Sequence, residues 1–405
     1  MDIKKSLFIP VLFFSLQIVV AQTKQLAFVQ YNENKITFTS DSSAMLAFYK
    51  KIDELKVGKI NRITIAHYGG SHIQAGQWTE VMADSFQALQ NFTGGGAFTF
   101  PFRIAHTNGP PFYRSFSTGT WSRCRCVPSE LCAPLGMAGI VAVNNDSSAS
   151  FGIQLKENGH INSFNSIKVF HNFNPDFNFE ISPGFQVPYK KTNMPGFGYT
   201  LFQFEIPVDS VNFDLNRIGT SDPDFLLRGF SIENNNPGFY YASMGVNGAS
   251  TRSYIHCEEF IKELHDLKPD LFIFSIGVND AQDRDFNQGN FYSQYDSLVS
   301  MVRSVSPDCA ILFTTISDNY IKRKTSNARS IAVNEAIFNL AEKNHAAVWD
   351  MFTIMGGIRS IDKWYRAGLA SGDRIHFNSQ GYQIIGNMMF EAIKNSYTNN
   401  SSSIK

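Results

Sequence analysis

The sequence lacks the features that would mark a nucleic-acid-binding or membrane-spanning protein. Lys and Arg number 35, Asp and Glu also number 35, and there is no long basic run. A chain without a basic surface has no electrostatic footprint for nucleic acid, so we expect no such partner. After the first 20 residues, no segment reaches the roughly 18 apolar residues that a spanning helix needs. With 43% hydrophobic and 17% charged residues in 405, the composition is that of a globular protein.

Two familiar active-site motifs are also missing. Gly94-Gly-Gly has no Lys-Ser/Thr after it, so the sequence does not predict a phosphate-binding loop there. The Gly-x-Ser-x-Gly elbow is absent around Ser71, because Ile73 occupies the position of the second glycine. These absences exclude a nucleotide-binding P-loop and an ordinary α/β-hydrolase elbow.

Cysteine is scarce, with five residues at positions 124, 126, 132, 257 and 309. An odd number leaves at least one free thiol in an exported protein. One bridge at most is expected within the cluster 124–132, and Cys257 and Cys309 are expected to be buried as small hydrophobic residues. Cys-x-Cys without a second ligand pair is weak evidence for zinc, so we predict no metal site.

The N-terminus has the pattern of a secretion signal. Met-Asp-Ile-Lys-Lys precedes an apolar run from Ser6 to Val20, and Ala21 follows. A basic start, a short apolar stretch and a small residue before the cut predict a signal peptide over residues 1–21, with an uncleaved anchor as the alternative. We therefore expect an exported protein, periplasmic or extracellular, with no stable membrane span after cleavage.

Strand and helix patterns alternate in two parts of the chain. Apolar, β-rich runs cover residues 61–68, 238–244, 270–276, 309–316 and 346–349. Helical stretches cover residues 76–91, 251–266, 291–305, 328–344 and 379–395. Near-continuous apolar strands between helices indicate a parallel sheet covered on both faces. The prediction is an α/β fold with a five-stranded, doubly wound, flavodoxin-like sheet.

The segment between the first two of these strands follows another pattern. It contains period-two runs such as Ser150–Leu155 and Tyr199–Ile206, divided by turn residues. Such alternation is typical of an antiparallel β-sandwich. We therefore expect an α/β domain in two parts, residues 22–96 and 237–396, an inserted sandwich over 97–236 that begins after Gly94-Gly95-Gly96, and a disordered tail over 397–405.

Polar residues stand where the predicted strands end, which is where sites form in open α/β sheets. Ser71 follows the first strand, Gly248 the second and Asn279 the third, while Asp373 and His376 precede the last helix. Each short motif alone also occurs as an ordinary turn or cap. In this order, and each at the end of a strand or before a helix, they predict one site.

These residue types supply the parts of a serine hydrolase. A serine hydroxyl needs an adjacent base, so Ser71 is the predicted nucleophile and His376 the predicted base. Asp373, three residues before His376, can orient the imidazole and stabilise its protonated form. The predicted oxyanion hole consists of the N–H groups of Ser71 and Gly248 and the side-chain amide of Asn279.

The four blocks resemble the SGNH, or GDSL-like, hydrolase superfamily. Its four named residues match Ser71, Gly248, Asn279 and His376, and the Asp of its last block matches Asp373. The resemblance covers about residues 60–95 and 237–395. The family usually has Gly-Asp-Ser in the first block, but here Gly70 replaces the Asp. This departure could weaken the loop or lower the activity.

The first block and the insertion narrow the resemblance. Tyr68-Gly-Gly-Ser-His-Ile-Gln-Ala, Thr107-Asn-Gly-Pro-Pro-Phe-Tyr-Arg and a sandwich after the first block are similar to the bacterial peptidoglycan O-acetylesterases. In that branch the inserted domain resembles carbohydrate-binding modules. The resemblance implies an acetylated glycan as substrate and no metal or organic cofactor. Two alternatives stay open: an esterase of another exported substrate, such as acetylated xylan or a lipid ester, and a non-catalytic glycan-binding relative.

Overall fold

A computed structural model of the chain describes residues 25–41, 43–157, 159–220 and 224–401, so the predicted signal peptide lies outside the described residues. The strands are β1 (Ile36–Phe38), β2 (Arg62–Gly69), β3 (Gly94–Thr99), β4 (Tyr113–Thr118), β5 (Trp121–Arg125), β6 (Ile140–Asn144), β7 (Ser148–Leu155), β8 (Phe164–His171), β9 (Phe177–Ile181), β10 (Tyr189–Met194), β11 (Tyr199–Val208), β12 (Ser210–Arg217), β13 (Phe225–Asn234), β14 (Gly238–Gly245), β15 (Leu271–Ser275), β16 (Ala310–Thr314), β17 (Tyr320–Ile321), β18 (Thr325–Ser326) and β19 (Ala347–Trp349). The helices are α1 (Ser43–Lys56), α2 (Ser71–Gln74), α3 (Gln77–Gln87), α4 (Thr251–Ile255), α5 (Phe260–Leu267), α6 (Val278–Gln282), α7 (Gln288–Val305), α8 (Arg329–Lys343), α9 (Met351–Ile354), α10 (Ser360–Arg366) and α11 (Ser379–Ser401).

Parallel strands form the centre of the main sheet. They lie in the order β19-β16-β15-β2-β14-β3, and β1 pairs antiparallel with β19 at one edge. The five strands predicted from sequence are β2, β14, β15, β16 and β19, and they stand in the flavodoxin-like order. The prediction of five strands was nevertheless wrong in its count, because β3 adds a sixth parallel strand beside β14.

Strand β3 begins with the three glycines that the sequence analysis placed before the insertion. A Cβ on Gly94 would lie 1.7 Å from the carbonyl oxygen of Asn236, and one on Gly95 would lie 2.2 Å from that of Phe239. Only glycine permits backbones to approach so closely. Since β3 pairs parallel with β14 and antiparallel with β13, the predicted domain boundary between residues 96 and 97 falls inside a strand.

Beyond β3 the same sheet becomes antiparallel, through β13, β8, β11 and β10. A second sheet, β4-β7-β12-β9, packs face to face against this part. The ring of Phe151 on β7 lies 5.2 Å from that of Phe213 on β12, 5.8 Å from Phe225 and 6.2 Å from Phe230, both on β13. Stacked phenylalanines therefore form the core between the two sheets. The likeness of this segment to a carbohydrate-binding module stays a prediction.

Helices cover both faces of the parallel strands. On one face, apolar side chains of α1, α3, α10 and α11 form a core cluster that includes Ile63 and Ile65 of β2. On the other face, α4, α5, α7 and α8 pack around Tyr68 and the aromatic residues of β15. Such two-sided burial explains why these strands read as nearly continuous apolar runs. In the ranges described, no helix is long and apolar enough to cross a bilayer.

Two helix predictions need correction. The helix expected over 251–266 is divided into α4 and α5, because the N–H of Glu259 donates to the carbonyl of Leu135 in the insertion instead of continuing a helix. The disordered tail expected from residue 397 begins as the last turn of α11, which reaches Ser401. Tyr397 anchors this turn, since its ring lies 5.7 Å from Tyr49 and its hydroxyl accepts a hydrogen bond from Lys56.

Candidate active site

Three of the predicted site residues form a hydrogen-bonded chain. Ser71 follows β2 and begins the short helix α2, and its Oγ lies 2.7 Å from Nε2 of His376. Nδ1 of the same ring lies 2.7 Å from Oδ2 of Asp373. In this order the imidazole can accept the hydroxyl proton while the carboxylate fixes the ring and its tautomer.

A tight turn before α11 holds the acidic and basic members of this chain. Oδ1 of Asp373 accepts hydrogen bonds from the backbone N–H groups of Ile375 (2.9 Å) and His376 (3.0 Å). Partial burial alone would raise the pKa of Asp373, but these bonds and the one to the His376 ring hold its pKa well below its usual range. The carboxylate therefore stays ionised through the neutral and mildly acidic range.

Gly248 and Asn279 follow β14 and β15, and Asn279 lines the same small cavity as Ser71. The side-chain Nδ2 of Asn279 donates to the carbonyl oxygen of Ala249 at 2.8 Å. Because an amide carries two N–H donors, Asn279 can hold this loop with one and present the other to a substrate oxygen. Gly248 has a φ of 84°, in the left-handed region that favours glycine.

Two cavities are lined by Asn279, and they differ greatly in size. A cavity of about 10 Å³, roughly the space of one water molecule, is lined by Gly70, Ser71 and Asn279 together with the end of β15 and the start of α6. On the far side of Asn279, an open depression of about 580 Å³ is lined by Gly248 and by polar side chains such as Ser250. The nucleophile therefore faces a very small recess and lies next to a broad polar groove.

Gly70, where the family usually has Asp, precedes the nucleophile with a φ of −94°, a value open to any residue. A Cβ at this position would lie 3.1 Å from Nδ2 of Asn279 and 3.4 Å from the carbonyl oxygen of Ala249. A carboxylate there would be next to the amide of Asn279. In this chain the Ala249 carbonyl accepts the hydrogen bond from that amide, which explains how the loop is supported without the Asp.

Gln74 supports the site, and sequence reasoning gave it no role. Its side chain is 1% exposed, and its Oε1 accepts a hydrogen bond from the N–H of Asn247 at 2.6 Å. Its Nε2 donates to the carbonyl of Asn108 at 2.7 Å. Gln74 therefore joins the nucleophile helix to the loop of Gly248 and to the insertion. Only its burial in the structure identifies this role, since a glutamine three positions after Ser71 has no signal in the sequence.

A disulfide-closed loop forms one wall of the site. Cys124 and Cys132 are bonded, and the cysteines at 126, 257 and 309 are buried free thiols. Within the loop, the Arg125 guanidinium donates to the carbonyl of Asn247 at 2.9 Å and pairs with Glu130. Hydrogen bonds from Arg125 hold the pKa of the Glu130 carboxyl well below its usual value, at about 2. This loop thus fixes the backbone next to Gly248.

His72, the residue after Ser71, packs next to His376. Its Nδ1 is 2.7 Å from the hydroxyl of Tyr382, and its ring centre lies 5.1 Å from that of His376. Burial, and then the charge of His376, lower the pKa of His72 to about 3. A neutral ring in this place packs against His376 and does not act as a second base. Within the ranges described, no group of three His, Cys, Asp or Glu residues could hold a metal ion.

Comparisons with known proteins show which family model and which folds the chain resembles. Residues 217–384, which contain Gly248, Asn279, Asp373 and His376, match the sequence model of the GDSL-like Lipase/Acylhydrolase family. A solved structure of a peptidoglycan O-acetylesterase superposes with a TM-score of 0.74 at 19% identity, covering 90% of this chain and 99% of that one. The chain has the fold of an SGNH hydrolase. Since the superposition covers 90% of the chain, the similarity of fold extends from the SGNH part into the insertion.

Further solved structures match about two fifths of the chain. A lipase/acylhydrolase from Enterococcus faecalis is 18% identical and covers 39% of this chain and 77% of that one, with a TM-score of 0.32. A carbohydrate esterase family 3 structure from Talaromyces cellulolyticus is 19% identical and covers 40% and 73%, with a TM-score of 0.31. Among curated proteins, no sequence matches significantly.

Proposed function

We propose that the protein is a serine esterase that removes O-acetyl groups from a carbohydrate, with cell-wall peptidoglycan as the favoured substrate. The observation that carries the proposal is the hydrogen-bonded chain from Ser71 Oγ through the His376 ring to Asp373, with 2.7 Å at each step. The acetylesterase among the structures of similar fold supports the choice of reaction.

The reaction follows from the positions of these groups. The imidazole of His376 removes the proton of Ser71 as its Oγ attacks the acetyl carbonyl, and the ionised Asp373 stabilises the imidazolium. The carbonyl oxygen becomes negative and accepts hydrogen bonds from the N–H groups of Ser71 and Gly248 and from Asn279. The imidazolium returns its proton to the departing sugar hydroxyl. Water, activated by the same imidazole, then releases acetate from Ser71.

The small recess beside Ser71 supports an acetyl group as the acyl part. Its volume of about 10 Å³ is roughly the space of one water molecule, which suits a group as small as a methyl. The broader groove beyond Asn279 is lined by polar side chains, among them Ser250, Asn287 and Gln294, which suit a hydroxyl-rich sugar. A long acyl chain has no comparable apolar channel in either cavity.

Export is a further part of the proposal. Residues 1–21 have the pattern of a signal peptide. The disulfide between Cys124 and Cys132 is of the kind that persists in oxidising compartments. Fractionation of the producing cells should recover the mature protein outside the cytoplasm, and retention of full-length protein in the cytoplasm would contradict export.

Acetate release tests the proposed reaction. The protein is expected to release acetate from O-acetylated peptidoglycan and from p-nitrophenyl acetate, and Ser71→Ala should lose that activity by several orders of magnitude. Ser117→Ala, a serine outside the site, serves as the control. Full hydrolysis by Ser71→Ala would remove this residue from the mechanism.

The same assay separates the alternatives. Because Gly70 replaces the usual Asp, one alternative is a non-catalytic protein, which would bind glycan without hydrolysing any acetyl ester. Acetyl xylan hydrolysed faster than peptidoglycan would favour a different exported glycan. A marked preference for long acyl chains in a series of p-nitrophenyl esters would contradict a deacetylase.

A further inference from the structure

A basic depression lies beside the turn that carries Asp373 and His376. It is an open cavity of about 570 Å³ between the β17–β18 hairpin and helix α10. Four cationic side chains line it, Lys324, Arg359, Lys363 and Arg366. All four are exposed to solvent. The chain as a whole has no net charge, whereas this depression gathers four positive side chains in one place.

The depression is connected to the catalytic turn through Arg374, the residue after Asp373. The Nε of Arg374 donates to Oδ1 of Asp362 at 2.8 Å, and its guanidinium lies 3.4 Å above the ring of Tyr365 on the same helix. The backbone N–H of Tyr320, where the hairpin begins, donates to the carbonyl of Arg374 at 2.9 Å. The hairpin and α10 thus both contact the residue next to the catalytic carboxylate.

The charges of the depression are not balanced within the protein. Its lining carboxylate, Asp362, is already paired with Arg374. In the part of the chain that the structure describes, Lys324, Arg359, Lys363 and Arg366 form no salt bridge within 4.0 Å. Guanidinium groups bind carboxylate and phosphate through two parallel hydrogen bonds, and lysine adds a compact charge.

The backbone around the depression is strained at basic residues. Lys322 and Arg323, at the tip of the hairpin, have φ values of 50° and 63°. Arg359, before α10, has a φ of 64°, and Arg374 one of 59°. Asn-Gly is the sequence that hairpin turns of this kind favour, because these residues tolerate positive φ. Arg359, which lines the depression, therefore keeps a long cationic side chain at a position where glycine or asparagine would be less strained.

We propose that this depression binds an anionic group, carboxylate or phosphate, of a polymeric substrate and thereby holds the acetylated sugar over Ser71. The proposal deepens the proposed function and rests on it for the reaction. A cell-wall glycan carries carboxylates on its peptides and phosphate on attached polymers. The hairpin and α10 that line the depression both contact Arg374, the neighbour of Asp373, so either anion would be bound beside the catalytic turn.

Relative activity on charged and neutral substrates tests the subsite. We expect Lys363→Gln with Arg366→Gln to lower, by roughly tenfold, the ratio of kcat/KM for O-acetylated peptidoglycan to kcat/KM for p-nitrophenyl acetate. The loss should appear mainly in KM, and added salt should lower the wild-type ratio while affecting the double variant less. The control double variant, Lys50→Gln with Lys190→Gln, removes two exposed lysines elsewhere and should keep the wild-type ratio. An unchanged ratio in the Lys363/Arg366 variant would overturn the subsite.

Binding in the Ser71→Ala background separates this proposal from the esterase activity. Ser71→Ala should co-sediment with purified peptidoglycan, and the Lys363→Gln/Arg366→Gln changes should weaken that binding. Amidating the peptide carboxylates should abolish binding if carboxylate is the anion, and removing attached phosphate polymers should abolish it if phosphate is. Lack of binding by Ser71→Ala, or binding indifferent to both treatments, would overturn the subsite. Charge-dependent binding by a protein that hydrolyses no ester would instead overturn the proposed function and leave the subsite standing.

Discussion

The residues that react are held in place by side chains that touch no reacting atom. Gln74 is the clearest case, because both ends of its buried amide are engaged, one by the backbone next to Gly248 and the other by Asn108 of the insertion. Replacing it by an apolar side chain of similar size would leave the N–H of Asn247 and the C=O of Asn108 without these partners. The loss of such bonds is costly at partly buried groups, and the loop that contains Gly248 would lose its fixed position.

Substitution of this glutamine gives a prediction at the residue scale. Gln74→Leu should lower the free energy of unfolding by about 1–3 kcal/mol. It should also lower kcat roughly tenfold, less than the 10²–10³ expected when an oxyanion donor is removed outright. Chemical denaturation and acetate release measure the two effects.

Gln87 provides a matched control for this prediction. It is also buried, and it donates to the carbonyl of Gly94 at 2.7 Å and accepts from the N–H of Phe239, far from the nucleophile. Gln87→Leu should lose similar stability and keep its kcat. Equal losses of kcat in both variants would show that Gln74 acts only through stability.

Some of the site residues could be predicted from sequence because chemistry restricts them. Ser71, Asp373 and His376 are residue types that act together, and each stands at the end of a strand or before a helix. Gln74 and Arg125 have no comparable signal in the sequence. Their partners are backbone groups of distant loops, and a backbone carbonyl has no signature in the sequence.

At the scale of elements, helix α3 ties the α/β part to the insertion through a buried ion pair. Glu80 of α3 accepts hydrogen bonds from both the backbone N–H (2.9 Å) and Nδ1 (3.0 Å) of His160, which follows β7. Burial alone would lower the pKa of His160, but the charge and hydrogen bond of Glu80, with a smaller effect of Asp84, raise it above its usual value. The folded protein therefore holds this proton more tightly than the unfolded chain does.

This pair predicts a pH dependence of stability. Its contribution is complete below the ordinary histidine pKa of about 6.5 and is lost as the pH rises through the raised pKa of folded His160. The thermal midpoint should fall as the pH rises above 6.5, and Glu80→Gln should flatten that decline. Glu335→Gln, an exposed carboxylate on α8, should behave as wild type. A decline of equal slope in Glu80→Gln would contradict this assignment.

Helices and strands could be predicted where hydrophobic periodicity is strong. The prediction failed where contacts with remote backbone groups determine where an element begins or ends. Strands β15 and β16 are apolar runs with no competing interpretation. Strand β3 was missed because Gly94-Gly95-Gly96 has low strand propensity. Glycine is nevertheless needed in this strand, because β14 and the residues before it lie too close for any side chain. The break between α4 and α5 depends on Leu135, which is remote in sequence.

At the scale of the whole molecule, the two parts share one sheet and a buried ion pair. Strand β3 joins β14 on one side to β13 on the other. Arg228 of β13 donates to Glu263 of α5, and their side chains are 3% and 0% exposed. Burial raises the pKa of Glu263, while the charge of Arg228 and a bond from the N–H of Met137 oppose that effect. The two parts are therefore expected to unfold together.

Calorimetry tests this cooperativity. We expect a single unfolding transition for the whole molecule. Glu263→Gln should lower the stability by about 3–5 kcal/mol, because it removes the nearer counter-charge of buried Arg228 and leaves only the pair with Glu259 at 4.0 Å, and it should shift that one transition without splitting it. Lys394→Gln, which removes an exposed pair with Glu391, should have little effect. Two separate transitions in the wild type would contradict a common folding unit.

If the proposed function holds, shared strands also limit how the protein could select among acetyl groups. A binding domain on a flexible linker can rotate and close over its ligand. Here, the hydrogen bonds from β14 through β3 to β13 leave no hinge in the sheet. A glycan bound by the insertion would therefore lie at a fixed distance and orientation relative to Ser71. The spacing of acetyl groups along the polymer, more than the closing of a lid, would then decide which of them is removed.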